Sequence, residues 1–150
     1  GCGVGYFVAQ WRSKGLSFAG YDANPNTPIL SRMLLPEGDE ACEVADLTEE
    51  LYVPKPFDLV VCKDVLPYIP DNLETTAIRN LALLSSRFIL LSWSIAPSVP
   101  ACRNVNEDVL MAAFADEGFT IEKFMTARLH VILKRKDCCL LIRSGQSILL

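Results

Sequence analysis

Two short apolar runs, Phe57-Asp58-Leu59-Val60-Val61-Cys62 and Phe88-Ile89-Leu90-Leu91, constrain the fold more than any other feature of this chain. Neither alternates apolar with polar residues, as a strand with one wet face does, and both fall far short of the ~18 apolar residues of a membrane span. Stretches with helical spacing lie between and around them. Strands whose apolar residues run on rather than alternate, separated by helices, predict an α/β chain with a mostly parallel sheet and helices on both faces. Ligands of such sheets bind beyond the carboxyl ends of the strands, so the loops that follow strands are where function is sought.

Val4, Phe7, Val8 and Trp11 recur at i, i+3, i+4 and i+7, which predicts a helix buried on that stripe and stopped by Gly15. A short strand follows at Ser17 to Tyr21. Thr27 before Pro28 predicts a helix over 28–35 with the hydroxyl as N-cap, ended by the turn Pro36-Glu37-Gly38-Asp39. A strand near 42–45, an acidic loop, Pro54 and Pro56 lead to the strand over 57–62. Asp71 and Glu74 form a capping-box-like start to a helix striped by Leu73, Ala77, Leu81 and Leu84. Phe88 to Trp93 is the next strand, and Ser94 to Arg103, with two prolines, is a loop. Asn104 with Glu107 caps a helix striped by Leu110, Ala113 and Phe114, which Gly118 ends. Phe119 to Met125 and Cys138 to Arg143 are the last strands, with a short helix expected between them.

A length of 150 residues suits one domain, 1–150, whose core needs neither disulfide nor metal. The 51% hydrophobic content excludes a disordered chain. Fourteen basic against eighteen acidic residues give a net charge of −4, which disfavours a nucleic-acid backbone as partner. The charge is uneven: residues 1–75 stand at −7 and 76–150 at +3. Arg128, Lys134, Arg135, Lys136 and Arg143 carry much of the surplus. They read first as a solvated face, and more sharply as a rim that attracts an anionic substrate. The six cysteines form no CxxC pair and His130 is the only histidine, so no metal is expected. Cys62, Cys138 and Cys139 lie in apolar runs, as small hydrophobes do, which suggests a reducing, cytoplasmic setting.

Three loops carry candidate chemistry. Gly1-Cys2-Gly3-Val4-Gly5 opens directly into the first helix, and glycines let a ligand approach the backbone closely. Its sixth position is Tyr6 rather than a small residue, and the chain has no Tyr-x-x-x-Lys pair, so an NAD-dependent oxidoreductase is disfavoured. Asp22, seventeen residues after Gly5 at the tip of the predicted strand that ends at Tyr21, could take both hydroxyls of a ribose; an Asx turn into Asn24-Pro25-Asn26 is the alternative. Asp46 could bind an adenine amino group with Leu47 on the ring, although alone it reads as a turn cap. All three fall on one edge of the expected sheet.

Gly1-Cys2-Gly3-Val4-Gly5, Tyr21-Asp22, Ala45-Asp46 and the run Phe57 to Pro70 stand in the order and spacing of class I S-adenosylmethionine-dependent methyltransferases, and the chain resembles that family along nearly its whole length. The resemblance implies a Rossmann-like sheet of seven strands, mostly parallel, with the last strand antiparallel. The strand such proteins place before the glycine loop is absent, so a domain lacking its first strand, N-terminally incomplete, is expected. S-adenosyl-L-methionine is the implied cofactor. By position Gly1, Gly3 and Gly5 would hold its methionine end, Asp22 the ribose, Asp46 and Leu47 the adenine, and Cys62 and Lys63 would line the pocket by backbone. Asp64 and Tyr68 are the implied catalytic candidates. Asp64 is the better base or substrate orienter, because a phenol is a weak base at neutral pH; a helix-start cap is its other reading. Tyr6, Tyr68 and Trp93 could stabilise the sulfonium, or simply pack.

No Asn/Asp-Pro-Pro-Tyr/Phe tetrapeptide follows the strand at 57–62, and Pro100-Ala101-Cys102 is not a Pro-Cys nucleophile, so DNA-methylating classes are disfavoured. A small-molecule or metabolite acceptor is the reading that remains, with no membrane partner. A non-catalytic interaction module is the alternative from another class.

Overall fold

The apolar runs and helical stretches fold, in a computed structural model, into strands and helices close to those the sequence predicts. The structure describes residues 1–52, 54–94, 103–129 and 134–144, by backbone alone at 94, 122–129 and 134–138. The chain gathers into two compact units, Gly1–Leu51 and Tyr52–Leu150.

The first unit contains α1 (Tyr6–Arg12), β1 (Gly20–Asp22), α2 (Thr27–Ser31) and β2 (Cys42–Val44). β1 and β2 pair in parallel with Gly20 opposite Cys42 and Asp22 opposite Val44, and α2 lies in the crossover that a parallel pair requires. Val8, Leu35 and Cys42 form its small core, with Cys2, Ala9, Phe18 and Ala41 packed against it. The stripe predicted for α1 is only partly buried: Val8 is, but Val4 and Phe7 are each 47% exposed and Trp11 is exposed too. The reason is close packing. A Cβ on Gly20 would stand 2.6 Å from Val8 Cγ2, so β1 meets α1 at Val8, and a two-stranded sheet offers little further surface to Val4 and Phe7. Trp11 instead stacks on Phe18, with ring centroids 6.1 Å apart.

α2 is shorter than the predicted 28–35, and its Thr27 cap is not made. Asn26 holds the N-cap position without a side-chain bond, while Thr27 is fully buried inside the helix with an unpartnered hydroxyl. Residues 32–35 continue as turns, in which Leu34 and Leu35 N–H both donate to the Ser31 carbonyl.

The second unit contains β3 (Phe57–Lys63), α3 (Glu74–Leu84), β4 (Ser85–Ser94), α4 (Glu107–Asp116), β5 (Phe119–Leu129) and β6 (Lys134–Arg143). Its sheet runs β3-β4-β6-β5. β3 and β4 are parallel, and β6, the last strand, is antiparallel to both neighbours as expected. The resemblance implied a seven-stranded sheet without its first strand; the described residues form six strands, divided between sheets of two and four. Ile89, Leu91, Trp93, Cys139 and Leu141 are buried on the sheet, and Ala77, Ile78, Leu81, Leu110 and Phe114 on the helices. Alternation along β4 puts Ile89, Leu91 and Trp93 on one face. Leu59 and Val61, in register with Phe88 and Leu90 on the other face, are each 42% exposed, so β3 does not reach the burial on both sides that its composition predicts.

Three local expectations are corrected here. Asp71 and Glu74 make no capping box: a 3-10 turn, Asp71–Leu73, precedes α3, whose N-cap position, Leu73, has no side-chain cap. The cap of α4 is Asn106, not Asn104; its side chain accepts from Asp108 and Val109 N–H, and Gly118, at φ 82°, follows the helix end as predicted. The helix expected between the last strands gives way to strand at 126–129 and 134–137, because the ladder runs on to Leu129 opposite Lys134 and satisfies those backbone groups; residues 130–133, with His130, lie outside the described ones.

Candidate functional site

Asp22 and Val44 end neighbouring parallel strands, so the loops leaving β1 and β2 are adjacent. Asp22 is the residue on which they converge. Its Oδ2 accepts from Gly3 N–H at 2.8 Å and its Oδ1 from Asn24 N–H at 2.9 Å, while its carbonyl accepts from Ala45 N–H at 3.0 Å. The Asx turn that the sequence offered as an alternative is therefore formed, and the same carboxylate also holds the glycine loop. Each carboxylate oxygen has two acceptor positions, so these bonds leave Asp22 able to accept from a diol as well. Asp46 takes the turn-cap role: Oδ1 accepts from Thr48 N–H at 2.8 Å and from its hydroxyl at 2.7 Å. Leu47 beside it is half-buried.

The glycines of the loop differ in what they require. Gly3 and Gly5 have φ of 57° and 81°, a region that side chains disfavour. A Cβ on Gly5 would also stand 2.9 Å from Cys42 Sγ and 3.1 Å from Ser31 Cβ, whereas one on Gly3 would meet nothing within 4 Å. Gly5 is thus demanded by packing, and Gly3 faces open space. Gly1 begins the loop, and the following Cys2 N–H donates to the Tyr21 carbonyl at 3.0 Å. Burial, reinforced by neighbouring Cys42, pushes the Cys2 thiol up to about 12, so it stays protonated at neutral pH. Tyr6 is exposed and sits edge-on to Phe7. A cavity of about 630 Å³ opens at the far end of α1, beside Arg12, Leu35 and Asp39, and no candidate site residue lines it.

In the second unit the carboxyl end of β3 carries the remaining candidates. Cys62 is buried, and that burial, with Asp64 adding, pushes its thiol up to about 12; at neutral pH it is no nucleophile. Lys63 and Asp64 form an ion pair at 3.5 Å. Asp64, at φ 57°, is the one non-glycine residue with positive φ among the described residues. Asp tolerates this region better than most side chains, and Ser92 on β4 secures it: Asp64 N–H donates to the Ser92 carbonyl at 2.8 Å and the Ser92 hydroxyl to Asp64 Oδ1 at 3.3 Å. Tyr68 is exposed at the end of a 3-10 turn, Leu66–Tyr68. Trp93 is fully buried, so packing is its role.

A profile of the methyltransferase-domain family matches residues 1–82, which takes in the glycine loop, Asp22, Asp46 and the run from Phe57 to Pro70. That is more than half of the chain. It belongs to the methyltransferase-domain family. It is accordingly an S-adenosylmethionine-dependent methyltransferase, with the α/β fold of that class. Among solved structures, magnesium protoporphyrin IX methyltransferase from Synechocystis PCC 6803 is similar with bound SAH (21% identity, 96% of this chain and 72% of that one, TM-score 0.76) and with bound SAM (24%, 96%, 67% and 0.75). A TehB-like SAM-dependent methyltransferase from Corynebacterium glutamicum is 16% identical over 96% of this chain and 77% of its own, with TM-score 0.78. A SAM-dependent methyltransferase from Methanosarcina mazei is 17% identical over 95% of this chain and 89% of its own, with TM-score 0.77. No curated protein matches the sequence.

The chemistry present fits a diol: the Asp22 carboxylate has acceptor positions to spare, and the loop leaves open space at Gly3. The structure brings Gly3 together with Asp22, and Asp22 with Ala45 next to Asp46. Among the described residues no group of three or more His, Cys, Asp or Glu could hold a metal ion, and no helix is long and apolar enough to cross a membrane. Arg143, read from sequence as part of a solvated face or substrate rim, has a structural task instead. It donates to the Ala82 and Ser85 carbonyls at 2.8 and 2.7 Å, with its guanidinium over the Phe119 ring. The side chains of Arg128, Lys134, Arg135 and Lys136 lie outside the described ones, as does Cys102. Sequence reasoning missed Gly20, Ser92 and Arg103. Gly20 carried a signal, a glycine entering a predicted strand; the other two act across long sequence separations and carried none.

Proposed function

We propose that this methyltransferase moves the methyl group of S-adenosyl-L-methionine to a small-molecule acceptor, with residues 1–150 acting as one donor-binding domain in a reducing, cytoplasmic setting. The observation that carries the reading is the Asp22 carboxylate holding the Gly3 amide at 2.8 Å, which joins the glycine loop to the tip of β1. The donor supplies a sulfonium, already a good leaving group, so the protein's task is positioning and exclusion of water. In this reading Gly1, Gly3 and Gly5 leave room for the methionine end, and Asp22 accepts from the ribose hydroxyls. Asp46 accepts from the adenine amine beside Leu47, and in the second unit Cys62 and Lys63 serve the donor by backbone. Asp64 orients the acceptor or takes its proton, and Tyr68 stands on the acceptor side. The name of the Synechocystis enzyme has it acting on a porphyrin, which supports a small molecule as acceptor class.

Calorimetric titration with S-adenosyl-L-methionine tests this. The protein should bind the donor, and Asp22→Ala should weaken binding about 10- to 100-fold, the scale of a lost charged hydrogen bond. No binding by the unsubstituted protein would overturn the methyl-transfer reading, and an unchanged affinity in the variant would remove Asp22 from the ribose site.

A further inference from the structure

Arg103 touches none of the residues that the sequence marks as functional, yet it gathers the segment that carries Tyr68. Its backbone N–H donates to the Pro67 carbonyl at 2.9 Å, and Nε donates to the Ile69 carbonyl at 2.6 Å. Nη1 pairs with Asp71 at 3.0 Å and donates to the Asn104 carbonyl at 3.4 Å, while Nη2 pairs with Glu74 at the start of α3. The Arg103 side chain is only 16% exposed, and Glu74 is buried with it.

Leu66, Pro67 and Ile69 pack the segment into the core, and single turns run along its backbone: Tyr68 N–H to the Val65 carbonyl, Ile69 N–H to Leu66, and Leu73 N–H to Pro70. Pro67 and Pro70 have no N–H to extend a ladder. A planar guanidinium can serve a carbonyl and two carboxylates at once, in fixed directions, and an ammonium on a flexible stem cannot. Ile69, Asp71 and Glu74 therefore converge on one rigid guanidinium, and Pro67 on the backbone N–H of the same residue. The charges agree with this, since the segment from Asp64 to Glu74 holds three carboxylates and no basic residue.

We infer that Arg103 is a positioning residue for the acceptor side of the methyl-transfer site: it fixes the turn between Asp64 and α3, and thereby the place of Tyr68. The inference rests on the proposed function for what the turn does, but not for how it is held. Two variants test it, Arg103→Lys and, in case the first fails to fold, Asp71→Asn, which removes only the pairing to an exposed carboxylate. Amide hydrogen exchange at Tyr68 and Ile69 should be about tenfold faster in Arg103→Lys and severalfold faster in Asp71→Asn, with α4 amides as protected as before, because exchange reports local opening. Affinity for S-adenosyl-L-methionine should stay within about twofold, since none of the residues that Arg103 holds is assigned to the donor. With any acceptor the protein methylates, the variants should raise the acceptor KM and leave the donor KM unchanged. Wild-type exchange at Tyr68 and Ile69 in both variants overturns the inference, as does equal acceleration throughout α3 and α4, which would make Arg103 a general brace. Failure of the unsubstituted protein to bind S-adenosyl-L-methionine sinks the methyl-transfer reading instead and leaves the exchange result standing.

Discussion

Asp22 and Asp46 order their loops largely through residues two positions away, Asn24 and Thr48, whereas Asp64 is held by Ser92, twenty-eight positions on, and the Tyr68 turn by Arg103. The first pair are side-chain-to-backbone turns, whose chemistry is complete in three or four consecutive residues. The second pair depends on a neighbouring strand and a distant arginine being in place. One region of this methyltransferase thus holds its candidate donor loops mostly by local bonds, with the Gly3–Asp22 and Ala45–Asp22 bonds as long-range additions; the other depends on contacts from β4 and from Arg103, ahead of α4.

Alkaline pH offers the largest lever on that contrast, because each region holds a thiol that burial raises. Cys2 in the first unit and Cys62 in the second both stand at about 12 against an ordinary 9.0. Below pH 9 folded and unfolded chains both hold these protons and the stability is complete. Between 9 and about 12 the unfolded chain loses protons that the folded chain keeps, so stability falls as pH rises. For buried Cys62 each unit of that separation is worth about 1.4 kcal/mol. Each unit carries one tryptophan, Trp11 or Trp93, so single-tryptophan variants followed by fluorescence report the two separately. Cys62→Ala should flatten the alkaline loss in the Trp93 transition, and Cys2→Ala that in the Trp11 transition. If either change moved both transitions equally, the two regions would be one cooperative unit.

Next in size is Gly5→Ala. It adds a Cβ at φ 81° and 2.9 Å from Cys42 Sγ, so strain and overpacking together should cost about 3 kcal/mol in urea unfolding followed through Trp11. Gly3→Ala is the control, with positive φ but open space, and should cost about 1 kcal/mol. If Gly3→Ala nevertheless loses donor affinity, the space above Gly3 is where a ligand approaches. Equal costs for the two would show that the close contacts at Gly5 are unimportant.

The same contrast explains what was legible in the sequence. The glycine loop, Asp22, Asp46 and the strand at Phe57 could be read because period, turn chemistry and glycine spacing are local signals. Helix caps at Thr27, Asn104 and Asp71 were misplaced for the opposite reason: a capping side chain can be drawn into tertiary contacts, as Asp71 and Glu74 are by Arg103. The stripe on α1 failed because its burial depends on how much sheet lies beneath it, and β1 and β2 are three residues each. Ser92 and Arg103 had no signal, since nothing in a serine within an apolar strand or an arginine after a proline loop names its partner.

The smallest expected effect bears on the non-local region alone. Asp64 occupies a left-handed conformation at φ 57°, which costs an L-residue roughly 1 kcal/mol and a glycine almost nothing. Asp64→Gly relieves that strain, but it also removes the carboxylate that accepts from Ser92 and pairs with Lys63. The backbone bond to the Ser92 carbonyl survives the change, and the ion pair is largely exposed, so its loss should cost less than about 1 kcal/mol. The two contributions nearly cancel, and the variant should unfold within about 1 kcal/mol of the wild type by the Trp93 transition. If methyl transfer needs the carboxylate, activity should nevertheless fall while donor affinity holds. Stability kept with activity lost would make the strained backbone at Asp64 a means of aiming its side chain. Full activity in Asp64→Gly would leave the left-handed turn as packing and return the acceptor side to Tyr68.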